Sequence, residues 1–203
     1  LFLESTRIVE RHNLDLSISF SEIFRRNSID LNCSRHLDIF QKFNVIPEFC
    51  FGCYKVQVEP RTLLEHIKLF VVFDQLKLSA NNIRKCMIEI RPQISGFYKG
   101  LVYCSSPEEA YQIADKLDEL VKMRISPELK TSVKRGCSEY PISHSEYKKI
   151  NRYGDQPMNY NEDWRSIEKE YDAENPVGPG NYIRPSLFGL TLSDILTIRN
   201  WID

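Results

Sequence analysis

The sequence has 203 residues, 42% of them apolar and 27% charged, so it can bury an ordinary globular core. Its 27 basic and 28 acidic residues almost cancel, which excludes the overall positive field that draws proteins onto nucleic acid or an anionic membrane. No apolar run reaches the roughly 18 residues of a membrane-spanning helix, and no secretory signal is apparent. We therefore expect a cytoplasmic protein without a membrane partner. The first residue is Leu1 and not methionine, which suggests a trimmed sequence or a piece of a longer protein.

Residues 1–48 predict a helical N-terminal extension. A capping-box spacing predicts a short helix over residues 19–26, and a second helix is expected from near Ser34. Two short helices with a turn between them are compatible with a helix-turn-helix, or with a helical cap on a sheet. The balanced charge favours the cap. In the helix-turn-helix interpretation the recognition helix would begin with Ser34, Arg35 and His36.

Residues 49–140 predict the central domain, because the hydrophobic period changes between two and about 3.6 at each proposed boundary. Right-handed crossovers place its strands in the spatial order 4-1-3-2, with two helices on one face of an antiparallel sheet. This α+β arrangement is a ferredoxin-like βαββαβ plait, a name that describes topology and does not imply an iron–sulfur cluster. The predicted elements are a strand over 53–59, a helix after Pro60, strands over 86–90 and 97–104, a helix after residues 105–109, and a strand over 131–137.

Residues 141–203 predict a mixed C-terminal extension that packs on the plait. Its aromatic residues include Trp164, Tyr171 and Trp201, which indicates a packed segment. A helix is expected over about Leu192 to Ile202, capped by Thr191.

The predicted topology brings a cysteine cluster to one end of the sheet. Four thiolates there would suit zinc in a tetrahedral site, or an iron–sulfur cluster. Cys50 and Cys53 have the two-residue gap of a metal knuckle. Inert buried thiols and thiol chemistry are the alternatives, the latter because Cys104 precedes a predicted helix N-terminus and Cys137 follows two cations. The predicted metal ligands are Cys50, Cys53, Cys104 and Cys137.

Strand alternation predicts a charged open face on the sheet. If the apolar strand residues point toward the helices, the polar ones point away from them. On the last strand the register leaves Lys134 and Arg135 as alternatives, and Arg135 enters the candidate set. This face is either a solvated surface or, if residues 141–203 fold over it, a walled pocket for a small anionic ligand. The candidate ligand-binding residues are Lys55, Gln57, Glu89, Arg91, Lys99 and Arg135.

One local pattern resembles a known family. Gly100–Tyr103 on a strand, followed by Ser105–Ala110 entering a helix, is similar to the third strand and next helix of an RNA-recognition motif. The resemblance implies RNA bound on the open face, with Phe97 and Tyr103 as stacking residues. The first strand departs from that family, because it carries polar side chains where an aromatic residue is usual.

The sequence contains no complete catalytic signature, so it does not decide whether the protein is an enzyme. We expect a plait protein with a metal or thiol site at one sheet edge. The alternatives are an enzyme or binding domain for a small anionic ligand on the charged face, and an RNA-binding or protein-interaction module. Nucleic acid is the least favoured partner because the net charge is only −1.

Overall fold

A computed structural model of the protein describes residues 2–12, 21–25, 31–91, 94–176 and 190–202. The fold is α+β with one antiparallel sheet, as the sequence predicted. In chain order the elements are α1 (Phe2–Arg11), β1 (Glu22–Arg25), α2 (Cys33–Phe43), α3 (Glu48–Phe51), β2 (Tyr54–Val58), α4 (Leu63–Gln75), β3 (Arg84–Ile88), β4 (Tyr98–Cys104), α5 (Pro107–Arg124), β5 (Thr131–Arg135), α6 (Tyr140–Ser143), the 3-10 helix η1 (Ser145–Lys148), α7 (Trp164–Glu174) and α8 (Leu192–Ile202).

The sheet has five strands in the order β1-β3-β4-β2-β5. β2 lies in the interior, where Tyr54 pairs with Cys104 of β4 on one side and with Arg135 of β5 on the other. The predicted four-stranded sheet is therefore too small, because β1 pairs with β3 and extends the sheet by one strand.

Strand β1 corrects the helix predicted over residues 19–26. Apart from Ser21 and Glu22–Arg25, that predicted helix lies outside the described residues. Burial alternates along β1, with Ile23 fully buried on the side of the main core. The edge of β3 offers unpaired backbone groups to a neighbouring segment, and this long-range pairing outweighs the local capping signal.

Helices α4 and α5 pack on one face of the sheet and enclose the main core. Both begin at serine or threonine caps: Thr62 accepts a hydrogen bond from the backbone of Glu65, and Ser106 accepts one from Glu109. Their apolar faces meet the inward residues of the central strands, and burial of this apolar area is the main source of stability. Fully buried members include Val56, Val58, Leu69, Phe73, Val102, Leu117 and Val121.

Helix α8 occupies the predicted range and begins at the predicted cap, where Thr191 Oγ1 accepts a hydrogen bond from the backbone of Asp194. It lies against β1, and Trp201 joins the main core. The indole Nε1 donates to the carbonyl of Ser21 at 3.1 Å, which ties the helix to the start of β1. Across the ranges that the structure describes, no helix has both the length and the apolar content to cross a membrane.

A second cluster, the end cluster, lies where β2 begins. It is built from α3, α6 and η1 around the buried side chains of Ile46, Cys50, Phe51, Tyr140 and Tyr147. Helix α2 packs beside it and contacts α7.

Two residues in the first turn of α2 contact other parts of the chain. Arg35 forms ion pairs with Glu168 and Asp172 of α7, and buried His36 stacks on Phe49 at 5.1 Å between ring centroids. These contacts hold Arg35 and His36 against other parts of the chain, whereas Ser34 is exposed. The choice between a helical cap and a helix-turn-helix stays a prediction.

Candidate functional site

The face of the sheet opposite α4 and α5 forms the floor of a cavity of about 370 Å³. Alternate residues of the strands point into it. One wall comes from α2, through Cys33, Ser34 and Leu37, and another from residues 137–139 after β5. The sequence suggested a walled pocket on this face if residues 141–203 fold over it. Among the described residues, the walls come from α2 and from the turn after β5, and no lining residue belongs to 141–203.

Five of the six predicted ligand-binding residues line the cavity: Lys55, Gln57, Glu89, Arg91 and Lys99. The exception is Arg135. Lys134 lines the cavity in its place, because β5 pairs Lys134 with Lys55, and directly paired residues share a face.

Arg135 belongs to the end cluster on the other face. It pairs with Tyr54 and is only 4% exposed. Its guanidinium donates to the carbonyl of Phe51 at 2.9 Å and to that of Met158 at 2.8 Å. The same group lies 5.1 Å from the ring centroid of Tyr147. These contacts make Arg135 a structural residue and exclude it from the cavity.

Several cavity residues were missed by sequence reasoning. Lys85 was missed because the strand was predicted to begin at Cys86 and begins at Arg84. Glu22 was assigned to a helix. Cys33 and Glu139 reach the site only through tertiary packing, and no local pattern points to them.

The acids of the cavity are neutralised by neighbouring cations. Burial alone would raise the pKa of Glu89, but hydrogen bonds from Arg91 and Lys99 lower that pKa to about 2. The lining acids pair as follows: Glu22 with Lys85 at 2.5 Å, Glu89 with Arg91 at 2.7 Å and with Lys99 at 3.2 Å, and Glu139 with Arg91.

Two lysines of the cavity have no such partner. In the described part of the chain, neither Lys55 nor Lys134 has a carboxylate within ion-pair distance. Lys55 is 6% exposed, lies 5.1 Å from the ring centroid of Tyr103 and donates to Cys137 Sγ at 3.8 Å. Lys134 donates to Ser138 Oγ at 2.6 Å. The cavity thus carries an uncompensated positive region beside β2 and β5.

The two lysines differ in their protonation behaviour. Burial acts to lower the pKa of Lys55, whereas electrostatic interactions with Cys137 and Tyr103 act to raise it, and the net direction is upward. Burial, together with the positive charges of Lys55 and Lys99, lowers the pKa of Lys134 to about 8. The positive charge of Lys134 is therefore disfavoured in the folded protein.

The predicted metal ligands lie near the same sheet end but in different surroundings. Cys104 is in the main core, Cys50 is in the end cluster with its Sγ 3.2 Å from Tyr140 Oη, Cys53 packs with Tyr103, and Cys137 lines the cavity. Successive strand residues point to opposite faces, which separates these side chains. Within the described residues, no three His, Cys, Asp or Glu side chains are placed to hold a metal ion. The zinc or iron–sulfur site therefore stays a prediction.

The lowered thiol pKa that the sequence predicted for Cys104 is wrong. Its position before α5 led us to expect a helix dipole that favours the thiolate. Burial dominates instead and raises the pKa of Cys104 to about 12. Burial also raises the pKa of Cys33, to about 11. Both thiols are protonated at neutral pH.

No protein-family model, curated protein or solved structure matches this chain. The two aromatic residues that the resemblance to an RNA-recognition motif implied for base stacking differ in exposure. Phe97 is 57% exposed, whereas Tyr103 is 8% exposed. The ammonium of Lys55 lies over the Tyr103 ring, on the floor of the cavity.

Proposed function

We propose that the protein binds a small dianionic ligand, a phosphate monoester or a dicarboxylate, in the cavity. The observation that carries this proposal is the pair formed by Lys55 and Lys134. The two lysines are direct cross-strand neighbours. Every acid that lines the cavity is paired with a cation other than these two lysines. An anionic ligand would supply the missing negative charge.

The spacing of the pair suits a dianion. Cβ atoms of directly paired residues on antiparallel strands lie about 5 Å apart, and like charges in that position destabilise the sheet. A group with two negative charges, or with several acceptor oxygens, can accept hydrogen bonds from both ammonium groups at once. Lysine is well suited to this role, because its ammonium is a mobile point charge with three donors.

The size of the cavity favours a small molecule. A volume of about 370 Å³ falls within the usual range of ligand sites, roughly 300–1,000 Å³. Leu37, Leu101 and Met87 add apolar lining that would contact the carbon skeleton of the ligand.

We further infer that β5, β2, β4 and β3 form a ferredoxin-like plait to which β1 is added. The inference is supported by their pairing and by the position of α4 and α5 on one face. In such a plait, the face opposite the helices is open to receive other segments, and here α2 and residues 137–139 turn that face into a binding cavity.

The proposal is tested by binding to the full chain. A thermal-shift screen of phosphate monoesters and dicarboxylates, with inorganic phosphate as the simplest probe, should raise the melting temperature. Isothermal titration calorimetry then gives Kd for the wild type and for Lys134→Met. We expect Lys134→Met to weaken binding at least tenfold, because one of the two ammonium groups is lost.

Lys130→Met is the matched control, since it removes the same charge from an exposed lysine outside the cavity lining. It should bind like the wild type. Equal affinities of Lys134→Met and Lys130→Met, or the absence of binding by the whole anion panel, would overturn the proposal.

A further inference from the structure

Lys134 presents a primary amine to the cavity. Its side chain is partly exposed and lines the cavity, as does that of Ser138, which follows β5. The Nζ atom donates to Ser138 Oγ at 2.6 Å, and in the described part of the chain no carboxylate lies within ion-pair distance of it. Because a hydroxyl is uncharged, it fixes the position of the amine without stabilising the ammonium form as a carboxylate would.

The groups that face Lys134 mostly oppose its positive charge. Lys55 on β2, Lys99 on β4 and Arg91 after β3 are cations, and the thiol of Cys137 acts in the opposite direction. Burial and these cations lower the pKa of Lys134 to about 8. About a tenth of the molecules then carry the neutral amine at pH 7, against fewer than about one in a thousand for an ordinary lysine. A lysine that is desolvated beside other cations is suited to attack carbonyl groups.

We propose that Lys134 forms an imine with the carbonyl group of an anionic ligand. This inference rests on the proposed function, and it narrows the ligand class to dianions that carry an aldehyde or ketone, such as 2-oxo dicarboxylates. Nζ attacks the carbonyl carbon, and a proton passes from the nitrogen to the oxygen to give a carbinolamine. The carbinolamine loses its hydroxyl group and the remaining N–H proton as water, which leaves the imine. The step consumes no oxidant or reductant.

The neighbours of Lys134 fit such a ligand. Lys55 is the direct cross-strand partner, and Cβ atoms in such a pair lie about 5 Å apart. In a 2-oxo acid the carboxylate is bonded to the carbonyl carbon, so one molecule can place the carboxylate on Lys55 and the carbonyl on Lys134. The hydroxyl of Ser138, next to Nζ, has a proton that it can donate to the carbonyl oxygen.

Reductive trapping tests the inference, because cyanoborohydride converts an imine into a stable secondary amine. The full chain is incubated at pH 7 with 2-oxoglutarate and cyanoborohydride, and peptide mass spectrometry measures the rate of adduct formation at each lysine. The rate at Lys134 should be at least ten times that at Lys130, which is exposed and outside the cavity lining. Excess glutarate, which lacks the ketone, should slow the reaction at Lys134 by competition.

Two variants test the contribution of the cavity. Lys55→Met removes the anchor for the carboxylate and one of the cations that lower the pKa of Lys134, so it should slow adduct formation at Lys134 at least tenfold. Lys130→Met is the control and should leave that rate unchanged.

The outcomes separate this inference from the proposed function. If glutarate binds to the wild type in calorimetry but Lys134 reacts no faster than Lys130, the imine is wrong and the anion site stands. An unchanged rate at Lys134 in Lys55→Met would also overturn the inference. If the wild type neither binds an anion of the panel nor forms the adduct, both the inference and the proposed function fail.

Discussion

The ring of His66 lies 4.5 Å from the ring of Trp201, measured between centroids, and this contact joins α4 to the C-terminal helix α8. His66 is fully buried, and a second aromatic ring, that of Tyr98, lies 5.1 Å away. Within the described residues, neither ring nitrogen has a hydrogen-bond partner. Burial lowers the pKa of His66 to about 4, so the imidazole is neutral in the folded protein at neutral pH.

The first prediction is a loss of stability in mild acid that depends on His66. Between pH 6.5 and about 4 the unfolded chain takes up a proton on His66 that the folded chain does not, so the free energy of unfolding falls. The loss should be about 2 kcal/mol at pH 5 relative to pH 8. His66→Phe keeps an aromatic ring against Trp201. Its free energy of unfolding, measured in urea, should lack this part of the dependence on pH. His12→Phe, at an exposed histidine, should retain it, and identical pH profiles for all three proteins would contradict the prediction.

The second prediction is that Lys134→Met stabilises the protein in the absence of ligand. The partly buried ammonium lies among Lys55, Lys99 and Arg91, which together with burial make its charge unfavourable. Removal of that charge should raise the free energy of unfolding by about 1 kcal/mol, which is roughly 2–4 °C in melting temperature for a protein of this size. Differential scanning calorimetry at pH 7 measures the change. A lower melting temperature would contradict the electrostatic account of this site.

The third prediction concerns Gly100, where β4 lies directly beneath α4. A Cβ at this position would lie 3.0 Å from Phe73 Cζ and would also clash with Leu69, and both of those side chains are fully buried. Gly100→Ala should therefore lower the free energy of unfolding by about 1–3 kcal/mol, through overpacking. Gly52→Ala is the control, since its Cβ would meet only the carbonyl of Phe49 at 3.8 Å. Chemical denaturation should separate the two variants, and equal stabilities would show that α4 can move to accept the methyl group.

The fourth prediction is charge-selective alkylation of Cys137. This partly exposed thiol contacts Lys55 and lines the cavity, so an anionic reagent should be concentrated next to it. The ratio of the rate constants for alkylation of Cys137 by iodoacetate and by iodoacetamide, divided by the same ratio for glutathione, should be several times larger than one. Peptide mass spectrometry measures it at Cys137. Lys134→Met should lower the ratio, because one of the two uncompensated lysines is lost, while Lys130→Met should leave it unchanged. A ratio of one in the wild type would argue against a positive field at the thiol.

The alternation of apolar and polar residues along Tyr54–Val58 was sufficient to predict β2 and to assign Lys55 and Gln57 to the polar face. The same is true of Lys99 on β4. Such assignments depend on local geometry, because successive strand residues point to opposite sides regardless of the surrounding structure. The cap signals at Ser106 and Thr191 were local in the same sense, and both helices begin where those residues predicted.

Other features depended on contacts between distant segments. Residues 22–25 carry a helix-start signal and form a strand because β3 offers them an open edge. The choice between Lys134 and Arg135 required the pairing of β5 with β2, since a shift of one residue exchanges the two faces. The walls of the cavity come from Cys33 and from residues 137–139, which are about a hundred positions apart in sequence and meet only in the folded chain. The direction in which strand residues point and the helix caps depend on neighbouring residues. The pairing of an edge strand, the register of a strand and the walls of the cavity depend on packing between distant segments, which no local pattern contains.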